Sequence, residues 1–234
     1  MRETPIPAQT AQPGAEASIP PIVECGEPLV SLTNYAPNIH VYPYYHHLGF
    51  KHAVDDCLIR EGVARKLAAA ASRLPEGYSL VIWDGWRPYE VQQELHDRTK
   101  EQLLEQGWQE GEALEKEISR FVAKPTVNPD RPSPHLSGGA VDLTLAGPDG
   151  WLEMGTEFDD FSDRALTRYF EQAEKLTEQD RQALENRRLL YHLLTAEGFV
   201  NYVEEWWHFE FGSLAWARQN ETTAIYRGIL SRNP

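Results

Sequence analysis

The sequence predicts an α+β fold, and three observations carry that expectation. Short β-prone runs stand at Tyr78–Trp83, Ala140–Leu145 and Phe199–Phe211. Stretches with apolar residues at helical three- and four-residue spacing lie between them. The two kinds of segment do not alternate in the regular strand–helix–strand order of a parallel sheet. With 234 residues, 41% hydrophobic and 25% charged, the chain has the composition of an ordinary globular domain with one sizeable core.

Residues 1–22 carry Pro5, Pro7, Pro13, Pro20 and Pro21 among small and polar residues. That composition favours extended backbone with little to bury, so 1–22 reads as a tail and 23–234 as a single domain. From Asp55 onward Ile59, Val63, Leu67, Ala70 and Leu74 form one apolar helical face, which Pro75 and Gly77 end. Tyr78–Trp83 is a buried strand, and Asp84-Gly85 a turn. Pro88 opens a helix running to about Gly107, because a proline in the first turn forfeits no intrahelical bond. A Glu-rich helix follows over 110–123, and then Pro125, Pro129, Pro132 and Pro134 make 124–134 a constrained loop. Ala140–Leu145 reads as a strand that turns back at Gly147-Pro148-Asp149-Gly150 into Trp151-Leu152. Helices are expected over 163–176 and 178–197, the second with Thr177 as N-cap and Gly198 at its end, and Phe199–Phe211 as another central strand.

A formal net charge of −14 argues against nucleic acid, whose binding depends on cationic side chains displacing counterions. Met1-Arg2-Glu3 begins with a charge of each sign and no apolar run follows, so no secretory signal is read. No stretch approaches the roughly 18 apolar residues of a membrane helix. Cys25 and Cys57 lack close Cys or His neighbours and read as two buried thiols in a reducing compartment. The expectation is a soluble cytoplasmic protein without membrane contact.

Three stretches carry chemistry. In Ser133-Pro134-His135-Leu136-Ser137-Gly138-Gly139-Ala140-Val141-Asp142, a histidine follows the rigid loop and an aspartate sits inside an apolar strand. A carboxylate buried there needs a cation, a set of donors or an opening to water. The second stretch, Glu204-Glu205-Trp206-Trp207-His208-Phe209, again sets a histidine and acids among aromatic residues. His135, Asp142 and His208 together make the two-imidazole, one-carboxylate ligand set of a catalytic zinc with an open position. Taken singly, each histidine also fits a hydrogen-bonded core residue. Glu205 lies three residues before His208, an offset that in a regular strand points the two side chains to opposite faces, so the backbone must bulge or end there. In the third stretch, Trp83-Asp84-Gly85-Trp86-Arg87-Pro88, Arg87 is either a structural partner of a carboxylate such as Asp84 or a fixed cation facing a developing oxyanion.

These motifs, Ser133-x-His135-x-x-Gly138-x-Ala140-x-Asp142, Glu205-Trp-Trp-His208 and Trp83-Asp-Gly-Trp-Arg87-Pro, resemble the signature of the D-alanyl-D-alanine dipeptidases, the VanX-type zinc peptidases. The likeness covers roughly 35–212 and extends to Met154-Gly-Thr-x-Phe158-Asp159, Glu185-Asn-Arg-Arg188 and Gly198-Phe199. It implies the fold of the D,D-peptidases and the Hedgehog signalling domain, with a central, mostly antiparallel sheet and helices packed against it. It further implies one Zn²⁺ per chain on His135, Asp142 and His208, Glu205 as general base and later acid, and Arg87 stabilising the tetrahedral intermediate. Ser133 and Asp159 match positions that hold the dipeptide, Asp159 as partner of its ammonium, although both residue types also serve as caps.

The implied function is hydrolysis of D-Ala-D-Ala in cell-wall precursor turnover or recycling. The alternatives are a D,D-carboxypeptidase or peptidoglycan endopeptidase acting on larger muropeptides, and a non-catalytic zinc-binding module. The expected partner is a small dipeptide; an oligomer is open. The chain departs from the family pattern at Tyr44-Tyr45-His46-His47-Leu48-Gly49, where relatives carry an Asn-Phe-x-Gly motif, and at Trp86, where a tyrosine is more common. His46 and His47 read as an ordinary loop pair.

Overall fold

The computed structural model describes residues 1–8, 19–160 and 162–231. The chain opens with β1 (Leu29–Ser31), β2 (Ile39–Val41), the single helical turn α1 (Tyr44–His47), β3 (Leu58–Arg60) and helix α2 (Glu61–Ala71). Next come β4 (Ser79–Asp84), α3 (Tyr89–Glu105) and α4 (Glu112–Phe121). A 3-10 turn at His135–Ser137 leads into β5 (Ala140–Gly147), which folds back as β6 (Gly150–Trp151). After a 3-10 turn at Asp163–Ala165, α5 (Tyr169–Gln172), α6 (Glu178–Thr195), β7 (Val200–Asn201), β8 (His208–Glu210) and α7 (Leu214–Gln219) complete the order.

The main sheet runs β2-β4-β5-β8-β7, with β6 paired to β5. Within this sheet β2–β4 pair parallel and the other pairings are antiparallel, as is the separate β1–β3 pair. This is the α+β architecture that the sequence predicts. Strands β4 and β5 are buried almost throughout because the sheet is covered on both faces. Alternation along β5 puts Val141, Leu143 and Leu145 on one face, in the core shared with Ile59, Leu67 and Leu190, and turns Asp142 and Thr144 to the other. Among the described residues no helix is long and apolar enough to cross a membrane.

Several elements differ from the sequence expectation, each for a tertiary reason. The helix expected from Asp55 starts only at Glu61, because Leu58–Arg60 pairs with β1, so Ile59 reaches the core from a strand. The helix expected over 163–176 is reduced to the 3-10 turn and α5. There the backbone bonds elsewhere: the carbonyls of Arg164 and Leu166 accept from Arg187, the Ala165 carbonyl accepts from the Trp206 N–H, and the Thr167 N–H donates to Val203. The strand expected over Phe199–Phe211 is a β7–β8 hairpin with a turn at 202–207. Asn201 holds that turn by donating to the carbonyls of Glu205 (3.1 Å) and His208 (2.9 Å). Helix α6 carries the expected Thr177 cap as a reciprocal capping box with Asp180. Cys57 is buried, but Cys25 is exposed, contrary to the reading of two buried thiols.

Of the stretch read as a tail, residues 9–18 lie outside the described residues, and the rest is docked. Ile6 is buried, its N–H donates to Glu171 Oε1 (2.8 Å), and its carbonyl accepts from Arg168 Nε (3.0 Å). Ile22 bridges Ala224. Arg188 grips both oxygens of Glu171, at 2.8 and 2.7 Å. Burial alone would raise the pKa of Glu171, but the Arg188 and Ile6 bonds outweigh it and hold the carboxyl below its ordinary value. A carboxylate with a depressed folded pKa contributes stability above its unfolded pKa and loses it as pH falls through the folded value. Residues 1–8 are therefore expected to stay docked at neutral pH and to loosen on acidification, as pH falls below the ordinary carboxylate range and through the depressed folded pKa of Glu171. Glu171→Gln should loosen them already at pH 7. The amide-exchange protection factor of Ile6 reads both effects, and protection indifferent to pH and to the substitution would contradict them.

Candidate active site

The histidine of the first motif is set by backbone geometry. The proline-rich loop ends at Pro134, the chain turns once through His135–Ser137, and Gly138 reverses it at φ +70°. A side chain at Gly138 would be strained there and would also run into Leu29, so the position calls for glycine. Arg60 fastens the turn, its backbone N–H donating to Gly138 O (2.9 Å) and its Nε to Ser137 O (2.9 Å). Asp142 and His208 face each other as direct cross-strand partners of β5 and β8. His208 Nδ1 lies 2.9 Å from Asp142 Oδ1, His135 Nε2 lies 3.2 Å from Asp142 Oδ2, and the two ring nitrogens are 3.3 Å apart. All three side chains are buried.

The donor chemistry of this group fits a metal ion. The outer nitrogen of each ring faces an acceptor: His135 Nδ1 is 2.7 Å from Gly85 O, and His208 Nε2 is 3.2 Å from Glu210 Oε1. Ser213 Oγ donates in turn to the other Glu210 oxygen. Protons held on the outer nitrogens leave both inner lone pairs converging with the Asp142 carboxylate, and the three ligand atoms lie within 4.8 Å of one another. Burial disfavours charge on His208, yet Asp142 and Glu210 outweigh it and raise its pKa well above the ordinary value. A proton and a metal therefore compete for the same place. Burial likewise works against ionised Asp142, but both histidines hold its pKa down.

Glu205 and Arg87 flank this group. Glu205 sits in the β7–β8 turn, not in a strand, so the three-residue offset from His208 does not oppose the two side chains; its Oε2 lies 3.9 Å from His208 Nδ1. Its seclusion from water, with Asp142 and Asp159 nearby, pushes its pKa up to about 8 despite the opposing pull of His208 and Arg87. Arg87 is the structural partner of Asp84 that one of the two sequence readings describes, and it also reaches the ligand group. Its Nε donates to Asp84 Oδ2 (2.7 Å) and its Nη1 to Gln92 Oε1 (3.0 Å), while Nη2 reaches Tyr45 OH and Asp142 Oδ2, each at 3.3 Å. Burial opposes its charge, but Tyr45 and the surrounding aspartates keep it firmly protonated. The turn before it packs so tightly on the Leu58 carbonyl that Gly85 has no room for a Cβ.

These side chains open onto one cavity of about 210 Å³. Asp159 lines it at φ +56°, a left-handed conformation uncommon outside glycine, and accepts from Tyr45 OH (2.9 Å). Burial, with Asp142 and Asp84 nearby, raises its pKa to about 7 against Arg87 and Tyr45. Ser133 is buried but does not line the cavity; the apolar Pro134 takes that wall position instead. His46 and His47 stay outside, His46 beside Asp55 (3.7 Å) and His47 stacked on Tyr42 (4.2 Å). Sequence reasoning missed Tyr45, Gln92 and Glu210. Glu210 alone had a legible signal, since two residues beyond His208 on a strand is the same face.

Two imidazoles and a carboxylate able to hold a metal, beside a secluded acid and a fixed guanidinium, are the equipment of a metallopeptidase. Residues 48–224 match the Peptidase M15 family, described as D-ala-D-ala dipeptidase, and the chain belongs to that family. It is 30% identical over 216 residues to a D-alanyl-D-alanine dipeptidase of Synechocystis sp. (strain ATCC 27184 / PCC 6803 / Kazusa), covering 85% of this chain and 87% of that one. To the D-alanyl-D-alanine dipeptidase of Escherichia coli (strain K12) it is 31% identical, covering 68% and 69%. Among solved structures it is similar to VanYB in complex with D-Alanine-D-Alanine (TM-score 0.44, 16% identity, 74% of this chain and 84% of that one). It is also similar to the LdcB LD-carboxypeptidase (TM-score 0.43, 19% identity, 86% and 77%).

Glu210 orients His208, one of the three candidate ligands, and partners of a ligating histidine typically account for about 10–100-fold in metal affinity. Glu210→Ala is expected to weaken metal binding by that margin in competition with a chromogenic chelator. An affinity equal to that of the wild type would contradict the orienting role.

Proposed function

We propose that the protein hydrolyses D-Ala-D-Ala to two D-alanines, with zinc held by His135, Asp142 and His208. The observation that carries this reading is the placement of Glu205 and Arg87 around the three candidate ligands in a single cavity of about 210 Å³. Pockets for drug-sized ligands run from about 300 Å³ upward, so a space of this size suits a free dipeptide better than a longer muropeptide. Family membership supports the reaction class.

Zinc bound there supplies Lewis acidity toward the scissile carbonyl and brings the pKa of water to about 7. Glu205, with a pKa pushed up to about 8, is matched to neutral pH for taking the proton of the attacking water and returning it to the leaving amine. Arg87 Nη2, held rigidly by its bonds to Asp84 and Gln92, offers a fixed positive charge to the carbonyl oxygen as it becomes anionic. That interaction is stronger in the transition state than in the ground state, which makes it catalytic. Asp159, which lines the cavity and is oriented by Tyr45, receives the substrate ammonium, whose charge would favour the ionised carboxylate. The free dipeptide is a cell-wall precursor, so the reaction belongs to precursor turnover or recycling in the cytoplasm.

D-Ala release by metal-loaded wild type and Glu205→Ala, with metal content measured on both, tests this reading. Wild type is expected to cleave D-Ala-D-Ala and to disfavour its N-acetylated form, while Glu205→Ala keeps its metal and loses about 10²–10⁴-fold in kcat. An active Glu205→Ala would remove Glu205 from the chemistry, and preference for N-blocked muropeptides would point to a D,D-carboxypeptidase.

A further inference from the structure

Asn186 and Arg187 belong to the Glu185-Asn-Arg-Arg188 motif on α6, outside the cavity, and the chemistry above leaves them unused. Arg187 is 2% exposed. Its guanidinium donates to three main-chain carbonyls: Nε to Met154 (2.7 Å), Nη1 to Leu166 (2.8 Å) and Nη2 to Arg164 (2.8 Å). Asn186 Nδ2 adds a fourth, to Glu153 O (2.8 Å). Two of these carbonyls lie where the 153–166 segment begins and two where it ends, so the pair ties both ends of that segment to one point on α6. Phe158 and Asp159 stand between the ties.

The same guanidinium lies 4.6 Å from the ring centre of Phe170 and 5.5 Å from that of Trp206. Trp206 follows Glu205 in the chain, and it too is fastened to the segment. Its indole N–H donates to Thr156 Oγ1 (2.7 Å) and its backbone N–H to Ala165 O (3.1 Å). One buried cation thus braces both the loop that carries Asp159 and the turn that carries Glu205.

A cation at this depth is costly unless its nitrogens find hydrogen-bond partners, and Arg187 makes no ion pair among the described residues. Burial and the neighbouring Arg164 lower its pKa to about 9, which still leaves it charged at neutral pH. An apolar residue would fill the same space without that cost, but only a planar group with donors in a fixed fork can join three carbonyls arriving from separate points. Asp159, for its part, holds a backbone conformation that persists only where the surroundings over-determine it.

We infer that Arg187, seconded by Asn186, is a positioning residue that sets Asp159 in the cavity and thereby selects substrates with a free ammonium group. This rests on Asp159 as the ammonium partner, so the test includes that residue. Arg187→Met, Arg187→Lys, Asn186→Ala and Asp159→Asn are compared with wild type as metal-loaded, folded proteins. For each, kcat and KM are measured with D-Ala-D-Ala, and kcat/KM with N-acetyl-D-Ala-D-Ala.

For Arg187→Met, KM for the free dipeptide is expected to rise about tenfold or more while kcat changes far less, and the preference for the free amine to fall toward that of Asp159→Asn. Arg187→Lys should restore part of that preference, and Asn186→Ala should lose part of it, which keeps the test open if Arg187→Met does not fold. If Asp159→Asn loses the preference while the Arg187 and Asn186 variants keep it with only a lower Tm, the pair is merely structural and the inference is overturned. If Asp159→Asn itself keeps the preference, the ammonium role of Asp159 fails, and with it any action of Arg187 through that residue.

Discussion

The carboxylate of Asp142, 2% exposed on the central strand of the sheet, is the constraint around which the rest of the molecule is arranged. A buried carboxylate costs several kcal/mol unless its charge is met by partners with good geometry. Its two oxygens are met by His208 from the neighbouring strand, His135 from the turn after the proline-rich loop, and Arg87 from the turn after β4. Each of these is in turn anchored: His208 by Glu210, His135 by the Gly85 carbonyl, Arg87 by Asp84 and Gln92. Strand pairing supplies the register, since Asp84, Asp142 and His208 stand opposite one another across three adjacent strands. Fold and site are thus the same set of contacts.

How much of this was legible depended on whether the chain or the tertiary structure decides the geometry. His135, Asp142 and Arg87 were readable because prolines and glycines rigidly limit the backbone beside them, and an acid or a guanidinium in such apolar surroundings needs a reason. The strand at Ser79–Asp84, helices α3, α4 and α6, and the hairpin after β5 followed from periodicity and turn chemistry. That the backbone must bulge or end between Glu205 and His208 was readable from their offset, but the turn at 202–207 that does so was not, because it depends on Asn201 taking two carbonyls, which leaves no periodic trace. The loss of the helix over 163–176 has the same origin, with carbonyls that would have closed a helix accepting instead from Arg187 and Trp206. Tyr45 reaches Arg87 and Asp159 from more than forty and one hundred residues away in the chain, a proximity that no local pattern encodes.

Electrostatics inside the cavity separates the acids by task. Asp142, beside two histidines, stays ionised and suited to a cation, whereas Glu205 and Asp159, secluded with fewer opposing charges, are pushed to about 8 and about 7. Under the function proposed above, these three environments would suit ligation, proton transfer and recognition of an ammonium in turn. The Arg187 clamp lies outside that cavity, yet holds two of the segments on which these differences depend.

The most direct measurement is X-ray absorption at the zinc edge on protein loaded with one equivalent of the metal, alongside Asp142→Ala. A first shell of nitrogen and oxygen only, with the outer-shell scattering of two imidazoles and an oxygen contribution changed in Asp142→Ala, is the expected result. A sulfur scatterer, fewer than two imidazoles, or a shell that Asp142→Ala leaves untouched would contradict a metal centre at His135, Asp142 and His208.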